Sequence, residues 1–76
     1  MNELMVTETA KAIADVAIRK SVSKADDMLM VVAEMGDEVA LNVFKEIPHD
    51  VKAKMVAEGD FSKPTFAGLL AKPQHV

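Results

Sequence analysis

Apolar residues recur along the chain at intervals of three and four between short polar stretches, the period of helices that bury one face. The first block, residues 3–22, reads ELMVTETAKAIADVAIRKSV and places Val6, Ala10, Ile13 and Ala17 on one face, with Val16 alongside. Asn2 or Thr7 supplies the N-cap, since either side chain can accept a bond from a free backbone N–H. The stretch SVSK ends this helix. Ser23, with Asp26 three residues on, forms a short variant of the capping box and predicts a second helix over Lys24 to Met35. Its core face collects Ala25, Met28, Leu29, Val32 and Met35, with Val31 at the edge. Gly36 can adopt the left-handed conformation that closes a helix, and Asp37 is placed to cap the next.

The third helix, EVALNVFKEI, sets Ala40, Val43, Phe44 and Ile47 against Glu38, Asn42, Lys45 and Glu46. Pro48 suits the first turn of a fourth helix, where its missing N–H is harmless, so the Ile47–Pro48 junction is a sharp corner. That helix, HDVKAKMVAE, has only a narrow apolar stripe of Val51 and Met55, with Val56 to one side. Gly59 ends it, and Ser62-Lys63-Pro64 predicts a fifth start leading into Phe66, Leu69 and Leu70. Gly68 costs this last helix about 1 kcal/mol of propensity. The expected fold is therefore all-α, a compact orthogonal bundle of four to five short helices in one domain over residues 1–72, with 73–76 a frayed tail after Pro73. VAEMGD at 32–37 echoes VAEGD at 56–60. Each copy is a helix end followed by a cap, which Gly and Asp supply without any duplication.

Composition narrows the chemistry. At 76 residues the chain makes one domain, and a domain of this size is marginally stable unless disulfides, a metal or association with another chain support it. It has no cysteine, which excludes disulfides and thiolate zinc sites, and His49 and His75 are 26 residues apart with no local partner. No metal or cofactor is expected. No apolar run reaches membrane-spanning length, and the N-terminal residues lack a basic start and an apolar h-region, so the expected setting is the cytoplasm of a bacterium or its phage. The net charge of −3 divides into +1 over residues 1–24, −5 over 25–47 and +1 over 48–76. An acidic middle opposes binding to a phosphate backbone.

Two irregularities suggest contact surfaces. Met30 falls in the polar face of the second helix among Asp26, Asp27 and Glu34. A flexible, polarisable side chain in that setting suits an adaptable protein contact. Leu4, Ile18 and Val22 lie off the main apolar face of helix 1, so this helix is apolar on more than one side. Either a homodimer seam covers that flank, or helices 2 and 5 sandwich helix 1. The clustered acids Asp26, Asp27, Asp37 and Glu38 have a plain structural use, since carboxylates near helix starts complement the macrodipole.

Catalytic patterns are missing from the sequence: it contains no GxGxxG, GxxxxGK or HExxH, and His49 and Asp50 are adjacent and point to different faces. The expectation is a non-enzymatic interaction module, a small acidic regulator, inhibitor or adaptor that binds a protein through apolar surface framed by acidic residues. One alternative is a small helical DNA-binding transcription regulator using Lys52, Lys54 and Lys63. Another is a structural subunit of a larger assembly.

Overall fold

A computed structural model describes residues 2–58, and the described chain is four helices in a compact all-α bundle. They are α1 (Glu3–Arg19), α2 (Val22–Ala33), α3 (Asp37–Glu46) and α4 (His49–Glu58). The expected fifth helix, Lys63, the second half of the VAEGD echo and the 73–76 tail lie outside the described residues.

Each helix start has a local cause. Asn2 caps α1, its Oδ1 accepting from the Met5 N–H at 2.9 Å. Thr7, the other candidate cap, lies inside the helix and donates from Oγ1 to Glu46 Oε1 at 3.4 Å, tying α1 to α3. For α2 the expected cap, Ser23, is replaced by Ser21, whose Oγ accepts from the Lys24 N–H at 3.1 Å. Burial explains the shift. Starting two residues earlier brings Val22 into the helix and into the core.

Gly36 rather than Asp37 is the N-cap residue of α3. Its φ of +138° is a conformation that side chains disfavour, and it lets the chain leave α2 and enter α3 with three residues between the helices. Asp37 and Glu38 then occupy the first turn of α3, where carboxylates complement the macrodipole. At the next corner Ile47 is extended, as a residue before proline prefers to be. The Pro48 carbonyl accepts the first bond of α4, from the Lys52 N–H at 2.9 Å.

The core unites all four helices. α1, α2 and α3 pack against one another, and α4 packs on α1 and α2. Ile13, Leu29, Val43, Ile47 and Met55 are its large buried side chains, and Ala10, Ala17, Ala25 and Ala40 allow the helices to approach closely between them. As the sequence pattern implies, α4 contributes a narrow stripe, Val51 and Met55. Lys52 fastens it to α3, its Nζ donating to the Lys45 carbonyl at 3.4 Å and lying 5.9 Å from the centre of the Phe44 ring.

On α2 the buried face is rotated from the expected one. Val22, Ala25, Asp26, Leu29 and Val32 face inward, whereas Met35 and Val31 are exposed and Met28 is half-buried. At 100° per residue the rotation is roughly 60°. Val22 causes it: as a first-turn residue of α2 it draws burial toward its own side of the helix.

Two substitutions test this framework. A Cβ at Gly36 would meet only Val39 Cγ2, at 3.8 Å, so Gly36→Ala is strained in its torsion and not in its packing. It should cost about 1–3 kcal/mol in chemical denaturation. Leu29→Ala should cost about 2–5 kcal/mol, as a truncation at a fully buried site does.

Candidate functional site

The outward side of α2 and the turn after it expose three large apolar side chains. Met30 is 42% exposed, Val31 62% and Met35, in the turn after the helix, 60%. Asp27, Met30 and Glu34 stand at i, i+3 and i+7, a spacing that sets them along one strip of the helix surface. Val31 and, four residues on, Met35 lie beside that strip, opposite Leu29. Three apolar side chains are thus framed by carboxylates at 27 and 34, with Asp37 and Glu38 exposed just beyond the turn.

Asp26 is not part of this frame. It is 2% exposed and sits on the core side of α2, and its carboxylate is not without a partner. A buried charge is tolerated only when paired or hydrogen-bonded, so Asp26 serves the fold. Its placement corrects the expected acidic ring around Met30, in which Asp26 was a member. Val31 and Met35, expected in or beside the core, take its place in the candidate surface.

Charge along α2 runs against the helix dipole. Lys24 lies in the first turn, where the macrodipole favours acids, and Glu34 caps the C-terminal end, where it favours bases; no acid occupies the first turn and no base the last. Asp27 stands beyond the first turn once the helix begins at Val22. The dipole therefore accounts for Asp37 and Glu38 at the start of α3 but not for Asp27 or Glu34 on α2.

The expected self-association flank is dispersed. Val22 is 5% exposed in the core, so it offers no surface to a second chain. Leu4 and Ile18 are both exposed but lie at opposite ends of α1, roughly 21 Å apart along the axis. Glu8, Lys11 and the Asp15–Arg19 ion pair, with Oδ1–Nε at 2.7 Å, are exposed on the same side between and beside them. A continuous apolar seam does not form there.

The remaining candidates are polar. Glu3, Val6, Thr7, Asn42, Lys45 and Glu46 line an open cleft of about 540 Å³ between α1 and α3, crossed by the Thr7–Glu46 hydrogen bond. Among the described residues no group of three His, Cys, Asp or Glu is placed to hold a metal ion, and no helix is long and apolar enough to cross a membrane. His49 and Asp50 are exposed at the start of α4. Of the basic strip, Lys52 is engaged with α3 and Lys54 pairs with Glu58 at 3.2 Å.

Three substitutions separate structure from surface on α2. Asp26→Ala should lower stability by more than about 1 kcal/mol, whereas Asp27→Ala should stay within about 0.5 kcal/mol of the parent. Glu34→Lys should raise stability by about 0.3–1 kcal/mol by satisfying the C-terminal dipole, and thermal denaturation at low salt reads all three.

No protein-family model matches the chain, nor does any curated protein or solved structure.

Proposed function

We propose that this chain is a non-enzymatic protein-interaction module, a small acidic regulator, inhibitor or adaptor that engages a protein partner through the outward face of α2. The observation behind it is the group Met30, Val31 and Met35, exposed together and framed by Asp27 and Glu34. Methionine adapts its shape to a contacting surface, and the carboxylates orient a partner by complementary charge. The unfavourable placing of Glu34 against the α2 dipole supports a use beyond helix stability. DNA binding has no comparable support, because the two lysines of α4, Lys52 and Lys54, are balanced on the same helix by Asp50 and Glu58.

Affinity capture from the native host, followed by mass spectrometry, supplies the partner for a direct test. Met30→Asp and Val31→Asp should each cost no more than about 1 kcal/mol of stability, the dipole penalty of an acid in the last turn, since both sites are exposed. Each should also abolish binding. Undiminished binding by both variants would refute this surface as the contact.

A further inference from the structure

Two of the exposed apolar groups on this molecule stand in opposite charge. Ile18, 63% exposed, lies in the last turn of α1 beside the exposed Arg19 and Lys20, with Lys11 two turns earlier on the same side. Residues 11–24 carry four basic side chains and one acidic one, Asp15, which Arg19 already holds. The second group is Met30, Val31 and Met35, and residues 27–38 carry four acidic side chains, all exposed, and no basic one. Helix α2 begins next to the first group and carries the second on its later turns, so about 12 Å of helix separates its start from Met30. A packed helix cannot fold back to join them. Two molecules can.

We propose that the chain associates head to tail with a second copy, Ile18 of one molecule seating against Met30, Val31 and Met35 of the next. This rests on the reading of α2's outward face as an interaction surface and names its occupant. Lys20 then meets the carboxylates of Asp27 and Glu34, and Arg19 joins it by exchanging its exposed pairing with Asp15, which costs little to break. Charge complementarity selects this arrangement over a two-fold dimer: pairing either patch with itself sets acid against acid or base against base, which disfavours association. The two surfaces joined are different, so the contact is heterologous, and it continues into longer assemblies unless a ring closes. Neither Leu4 nor the buried Val22 takes part.

Complementation of two variants tests the pairing. Ile18→Ser with Arg19→Gln removes the basic knob, and Val31→Ser with Glu34→Gln removes the acidic seat. All four sites are exposed, and a circular dichroism melt of each variant checks that it folds. In sedimentation velocity the parent chain should form species larger than a dimer, or a closed ring, as concentration rises into the high micromolar range. Each variant alone should associate about tenfold more weakly or not at all. An equimolar mixture should give a one-to-one dimer that grows no further, because only one knob and one seat remain intact between the two. A parent chain that stays monomeric, a parent that stops at a dimer, variants that associate as the parent does, or a mixture that stays monomeric would each overturn the proposal. None of these outcomes bears on whether a different protein binds α2, which the captured-partner assay reads independently.

Discussion

The bundle depends on the burial of one face of α2. This helix packs against α1, α3 and α4, and its Leu29 is fully enclosed. The other helices are arranged around it: α1 and α3 complete a three-helix unit with α2, and α4 is laid over α1 and α2 by Val51 and Met55. Buried alanines at 10, 17, 25 and 40 allow the helices to lie close together. A helix whose one face is enclosed by three neighbours has a single free side. On α2 that side carries Met30, Val31 and Met35.

Much of this was legible in the residues. The three- and four-residue spacing marks Ala10, Ile13 and Ala17 in α1, Ala40 and Val43 in α3 with Ile47 at its C-cap, and Val51 and Met55 in α4, and all eight are buried. Asn2, Gly36 and Pro48 mark helix boundaries by their own backbone chemistry. These features are local. Each follows from a side chain acting on its own backbone or on a neighbour one turn away.

What was not legible depends on tertiary choice. Either Ser21 or Ser23 can cap a helix, and Asp26 three residues on favours Ser23 locally, but starting at Ser21 buries Val22. Once α2 starts at Val22 its inward face turns toward Asp26, and a carboxylate that periodicity places in the polar face becomes part of the interior. No pattern in a single sequence announces a buried charge, because its tolerance depends on partners that only the fold assembles. Val22 illustrates the same limit from the other side. Counted with helix 1 it is surplus apolar surface, and counted with α2 it is core.

The outward face of α2 is distinguished by what helix stability fails to explain. Isolated exposed apolar residues are ordinary, and acids at helix starts are favoured by the dipole. Asp37 and Glu38 need no other account. On α2, by contrast, three large apolar side chains cluster in the open, Asp27 lies beyond the reach of the first-turn dipole effect, and Glu34 stands where that effect is adverse. Each departure is small, a few tenths of a kcal/mol to about 1 kcal/mol for a misplaced charge. A domain this short has little stability in reserve, so such departures count against the fold wherever they occur. Their coincidence on the one side of α2 that no described helix covers is what a contact surface requires: apolar atoms to bury, and charges whose favourable partners lie on another molecule.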